Sequence, residues 1–283
     1  MRLITFFLLG FLATTVSIAR SETDVLPAHE EVLSSSISGQ VMISDKTPMP
    51  YGIVLLYDSR SGPPPPLGLY WRVPDLITSL GKDGRFMLEV AEGTYYLQVS
   101  QKNPAGDIGP AKENEYLYFH GDASRNAIPL VVGKNDHINL GRLKAFLWSP
   151  DIIKRDKGIT SVEGVVVDTD GKPVERAVVL AYYNPDGVGR PIFISDRTDK
   201  NGRYQLRTNA GGVFYLKVRS VVGGGKPASG EHLNTTEEFE PLRVTLKKDE
   251  RLQGVKLTVM KFERPNEEPV PEEKREWRVL EKQ

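Results

Sequence analysis

Cysteine is absent from the 283 residues. That excludes disulfides, thiol catalysis, iron–sulfur clusters, Cys-containing zinc sites and covalently attached haem. Histidine is scarce. His29, His120, His137 and His232 stand far apart, and no His-Glu-x-x-His occurs, because Leu33 ends the stretch that starts at His29. Zinc hydrolysis is therefore left without a ligand set. An excess of either charge is lacking too. Lys plus Arg and Asp plus Glu each number 37, which points away from nucleic acid and from an anionic membrane surface. The Gly-x-Ser-x-Gly elbow of serine hydrolases and the Gly-x-x-x-x-Gly-Lys-Ser/Thr phosphate loop are both missing. None of these patterns calls for a cofactor or a metal, and the expectation is a chain that is not an enzyme.

What is present begins with an address. Met1-Arg2 is basic, Leu3 to Val16 carries no charge, and Ser17-Ile18-Ala19 offers small residues before Arg20. This is the layout of a secretory signal peptide over residues 1–19. No later apolar run approaches the roughly 20 residues that a helical span requires. The expected mature chain has no membrane span. It is secreted or held in the periplasm or cell envelope, and a bacterial host suits it best.

The body of the chain repeats itself. Lys82-Asp83-Gly84-Arg85-Phe86 reads against Lys200-Asn201-Gly202-Arg203-Tyr204, and Gly93 to Val99 reads against Gly212 to Val218. Upstream, Ser38-Gly39 matches Glu163-Gly164. Downstream, Gly133 to Asp136 matches Lys247 to Glu250. Four blocks in one order, offset by 125, 118, 119 and 114 residues, indicate two whole domains and not a solenoid of short units. The expected boundaries are a polar leader at 20–36, domains at 37–148 and 160–262, a linker at 149–159 closing on the first domain through Trp148, and a charged tail at 263–283. The tail reads as disordered, with a short helix after Pro271 as the alternative.

Each copy is patterned as strands. Phe86, Leu88 and Val90 alternate with Met87 and Glu89; Tyr95, Leu97 and Val99 alternate with Tyr96 and Gln98; Phe214, Leu216 and Val218 do the same. Period two marks a half-buried strand. The continuous apolar runs Ile53 to Tyr57 and Ala177 to Tyr183 suit strands covered on both sides. No amphipathic helix stands out in the body of the chain, and the fold class is all-β. Asp168-x-Asp170-Gly171 and Asp199-x-Asn201-Gly202 resemble calcium loops superficially, but they lack the closing glutamate and read as ordinary hairpin turns.

Gly164 to Val179, Thr198 to Leu206 and the Gly-x-Tyr-x-Leu-x-Val strand from Gly93 resemble the carboxypeptidase regulatory-like family. The first copy departs at Val41 to Pro50, which lacks the usual Asp-Gly. The resemblance implies tandem seven-stranded, prealbumin-like (Ig-like, transthyretin-like) β-sandwiches that act as structural or interaction units without catalytic residues of their own. The peptidase domain that gives the family its name is not present, nor is the Tyr-Arg-Gly-Ser that closes transthyretin-like hydrolases.

One insertion stands out. Ser59 to Pro74 interrupts the first copy with four consecutive prolines, Pro63 to Pro66, followed by Tyr70, Trp71 and Arg72. Polyproline is stiff, and Tyr, Trp and Arg are enriched at binding hot spots. Two readings follow. The triad forms a contact surface for an envelope or extracellular protein partner, or for polysaccharide if the rings face solvent. Alternatively, Tyr70 and Trp71 cap the end of a sandwich core. Open sheet edges offer a further route to a partner strand. Gly223 to Gly225 reads as a loop, and Asn234-Thr235-Thr236 matches a glycosylation acceptor that matters only in a eukaryotic host.

Overall fold

Alternating side chains settle into strands, and every named element among the described residues of the computed structural model is a strand. The structure describes residues 35–101, 111, 113–149, 159–220, 227, 229–234 and 240–263. The signal peptide, nearly all of the leader, residues 150–158 of the linker, Gly223 to Gly225, Thr235-Thr236 and the tail beyond Glu263 lie outside the described residues.

The first half comprises β1 (Ser35–Met42), β2 (Gly52–Asp58), β3 (Trp71–Arg72), β4 (Leu76–Ser79), β5 (Arg85–Val90), β6 (Gly93–Gln101), β7 (Tyr116–Phe119), β8 (Leu130–Val132), β9 (His137–Lys144) and β10 (Phe146–Leu147). They form a three-stranded sheet, β5-β1-β9, and a six-stranded sheet, β10-β7-β6-β2-β4 with β8 also on β6. Between the sheets lie Ile37, Val41, Val54, Leu56, Phe86, Leu88, Leu97 and Val99, all buried.

The second half comprises β11 (Thr160–Asp168), β12 (Val178–Tyr182), β13 (Phe193–Ile194), β14 (Arg203–Thr208), β15 (Gly212–Arg219), β16 (Glu231–Asn234), β17 (Leu242–Leu246) and β18 (Arg251–Phe262). Its sheets run β14-β11-β18-β16 and β17-β15-β12-β13-β3. Val162, Val166, Val179, Leu206, Phe214, Leu216 and Val259 fill the space between them. Both halves follow one strand plan. β1 is antiparallel to β5 and parallel to β9, as β11 is to β14 and β18, and each parallel pair carries a register shift, at Gly39 between Ser38 and Gln40 in the first half and at Glu163 between Val162 and Gly164 in the second. Short strands, β4, β8 and β10 in the first half and β13 in the second, take the number in each half above the expected seven.

The turn signals form turns, but the one at Asp199 is not the hairpin expected of it. Asp168 Oδ1 accepts the backbone N–H of Asp170 and of Lys172, and Asp199 Oδ1 accepts those of Asn201 and Arg203. These carboxylates cap their own turns. Gly84 and Gly202 have φ of 73° and 71°, and a Cβ at either would lie within 2.4 Å of a carbonyl oxygen. Both of these turns carry the chain from one sheet to the other and do not join two paired strands.

β3 departs from the sequence boundaries. It lies inside the first copy, yet it completes the second half's sheet. Trp71 pairs with Ile194 and Arg72 with Phe193, antiparallel, and Val73 N–H donates to Ile192 O at 2.9 Å. The two apolar runs meet at the same seam. On β2, Val54 and Leu56 face the first core while Ile53, Leu55 and Tyr57 face the seam. On β12, Val179 and Ala181 face the second core while Val178, Leu180 and Tyr182 face the seam. Each strand thus serves two apolar layers, because its side chains alternate in direction.

Candidate functional site

The insertion Ser59 to Pro74 is a part of the chain that the repeat does not explain. The structure folds it over the seam. Tyr70 is buried in the core of the second half, edge-on to Phe193 with ring centroids 5.4 Å apart. Its hydroxyl donates to Pro64 O at 2.6 Å, which ties the ring to the stiff polyproline segment. Burial pushes the hydroxyl's pKa up, so it stays a protonated donor.

Arg72 is 4% exposed. Its Nη1 donates to Gly62 O at 3.1 Å and to Pro63 O at 2.9 Å, and its Nη2 donates to Asp58 O and to Asp75 Oδ2. The guanidinium also lies over the Tyr57 ring, 5.5 Å from its centroid. Burial pulls the pKa of Arg72 down, and the Asp75 charge opposes that pull. The side chain is a tie-rod. It gathers three loop carbonyls and one carboxylate that would otherwise be costly to desolvate.

Trp71 is half-buried. Its indole N–H donates to Asp196 Oδ1 in the second half at 3.1 Å, and its ring meets Trp148 edge-on at 6.0 Å. Trp148 is itself buried with Leu67 and Leu117, so it does close on the first half, and it also backs the strap. Arg190 completes the seam. Its Nη1 donates to Asp75 Oδ1 at 2.9 Å and is 3.4 Å from Pro74 O.

The structure therefore brings Tyr70, Trp71 and Arg72 together around a seam inside the molecule, with Tyr70 and Arg72 buried and Trp71 half-buried at its edge. Tyr70 caps a sandwich core, though the core is that of the other half. A sugar-stacking role would need an open ring face, and Tyr70 has none. Sequence reasoning did not single out Asp58, Asp75, Arg190 and Asp196. The available signal was charge placed beside proline and glycine in the two loops, at Pro74-Asp75 and Arg190-Pro191. Among the described residues no group of three or more His, Asp or Glu side chains is placed to hold a metal ion, and no helix is long and apolar enough to cross a membrane.

No protein family model matches the chain, and no curated protein matches it. Several solved structures do. A streptococcal ancillary pilin shares 14% identity over 83% of this chain and 64% of its own, with a TM-score of 0.24. The shaft pilin SpaA of Lactobacillus rhamnosus GG shares 10% over 81% of this chain and 99% of its own, at 0.23. The pilus backbone protein of Streptococcus pneumoniae shares 9% over 78% of this chain and 63% of its own, at 0.23. This chain thus spans under two thirds of the ancillary pilin. Identities and TM-scores at this level do not carry function from one chain to another.

Proposed function

We propose that this chain is a non-enzymatic, exported protein that serves as a structural or protein-binding module of the bacterial cell envelope. The observation that carries this reading is the strap. An elaborated loop of the first half, with its aromatics and its buried arginine, is used to complete the second half's sheet and to fasten the seam. Such a loop makes one stiff body from two sandwiches, which suits a spacer or scaffold that holds a fixed distance and orientation. The signal layout of residues 1–19 supports export. The tandem boundaries at 37–148 and 160–262 and the kinship with carboxypeptidase regulatory-like domains belong to the same reading.

Affinity purification from the native envelope fraction, followed by mass spectrometry, tests it. A stoichiometric protein partner supports the module. Retention with cell-wall or matrix polysaccharide and no protein partner would replace it with an adhesion protein. Turnover on a panel of esters, peptides and glycosides would overturn it.

A further inference from the structure

The outer faces of sheets β5-β1-β9 and β14-β11-β18 can be compared row by row, because their antiparallel pairs share one register and their parallel pairs, shifted one position apart, are in step again at Gln40–Arg142 and Val165–Lys256. In the second half, Glu163 stands at the centre of the face. Its carboxylate accepts Gln205 Nε2 at 2.7 Å, Ser161 Oγ at 3.0 Å and Gln253 Nε2 at 3.3 Å. Burial pushes its pKa up, but these bonds and the charge of Arg251 outweigh it, and the group ends below the usual glutamate range. This face is built around a carboxylate, and the chain supplies that carboxylate itself.

In the first half the same position is Ser38. It lies beside Met87 on β5 and Asn139 on β9. The next row is Arg85–Gln40–Arg142, where the second half has Arg203–Val165–Lys256. A cavity of about 320 Å³ opens here, lined by Ser38, Gln40, Arg85, Phe86, Asn139 and Arg142 together with Gly39 and Gly141, and no acidic side chain lines it. Gly141, at φ 67°, leaves it roomy, since a Cβ there would meet nothing within 4 Å. Arg85 has Asp83 at 3.2 Å on the exposed turn, and Arg142 donates to Asp45 O at 2.7 Å. A guanidinium has five N–H donors, so neither contact exhausts it.

We propose that this cavity binds the carboxylate of an external ligand, in the place that Glu163 fills in the second half. The ligand class is a small carboxylate-bearing group, either an acidic sugar or an acidic peptide side chain. Two guanidiniums, two side-chain amides and a hydroxyl around a space of monosaccharide size match that chemistry. The inference is independent of the scaffold reading, since a rigid spacer needs no such cavity.

The test is nuclear magnetic resonance titration of the full chain with glucuronate and with N-acetylglutamate amide, each beside its neutral counterpart, glucose or N-acetylglutamine amide. Saturable shifts at the Ser38, Gly39 and Gly141 amides are expected with the carboxylates only, and the tighter of the two names the source. Arg85→Gln with Arg142→Gln, two exposed positions that should not disturb folding, is expected to weaken binding by about tenfold or more. Ser38→Glu is expected to place a carboxylate in the cavity from within, abolishing probe binding without lowering Tm. The proposal is overturned by no saturable shift, by equal shifts with the neutral probes, or by an unchanged Kd in the arginine variant.

Discussion

Arg190 Nη1 reaches across the seam to Asp75 Oδ1 at 2.9 Å, while Arg72 holds the other oxygen of the same carboxylate at 2.8 Å. The two arginines do different work. Arg72 is buried and gathers the strap's own carbonyls; the Arg190 side chain is 47% exposed.

Their removal should separate accordingly. Arg72→Ala leaves the Gly62, Pro63 and Asp58 carbonyls without their donor and Asp75 with only Arg190 and the Asp58 N–H, and should cost about 3–5 kcal/mol. Arg190→Ala should cost at most about 1 kcal/mol, because water screens that pair. Urea denaturation of the two variants measures both. Equal losses would mean that the clamp is not organised around Arg72.

Tyr70→Ala should loosen the second half although the residue lies in the first. Removing a large ring from a packed core costs about 3–5 kcal/mol, and Tyr70→Phe should cost about 1 kcal/mol for the bond to Pro64 O. Hydrogen exchange should show protection lost first in β13 and β12. Loss confined to β2 and β6 would contradict the placement of the ring.

Glycine substitutions should rank by the space around them. A Cβ on Gly164 would lie 1.7 Å from Val255 O, whereas one on Gly171 would meet nothing within 4 Å. Gly164→Ala should therefore prevent the β11–β18 pairing. Gly171→Ala should cost only about 1 kcal/mol for its positive φ. Thermal melts of the two variants give the comparison, and similar Tm values would be inconsistent with that close approach.

Acid should find Glu163. Its pKa is lower in the fold than in the open chain, so the stability it contributes is complete above the usual glutamate range and is lost as pH falls through the lowered value. Glu163→Gln should be less stable by about 1 kcal/mol at pH 7, and the gap should close on acidification. A gap that persists or widens at low pH would reverse the sign and remove the carboxylate from this role.

Much of the fold was legible because alternation is a local property. Phe214, Leu216 and Val218 point inward for the reason their spacing states, and Asp199 caps its turn within four residues of itself. The runs at Ile53 to Tyr57 and Ala177 to Tyr183 announced two covered faces, but not that they would cover each other. The strap was harder. Tyr, Trp and Arg mark a seam within a chain as readily as a surface for a partner, because both need large groups that tolerate desolvation. The Ser38 cavity was invisible for another reason. Its meaning depends on register, and Ser38 becomes informative only when Asn139 and Arg142 are seen beside it.

The parallel pairing of β11 with β18 has a mechanical consequence. Tension along the backbone enters the second half at Thr160 and leaves at Phe262. β11 is then drawn toward its beginning and β18 toward its end, in opposite senses along neighbouring strands. Their cross-bridges from Ser161–Arg251 to Asp168–Val259 bear that load together, in shear. A hairpin pulled from its open end would surrender its bonds one at a time. Here the whole ladder must yield at once, so the second half should resist stretching far more than its thermal stability alone would suggest.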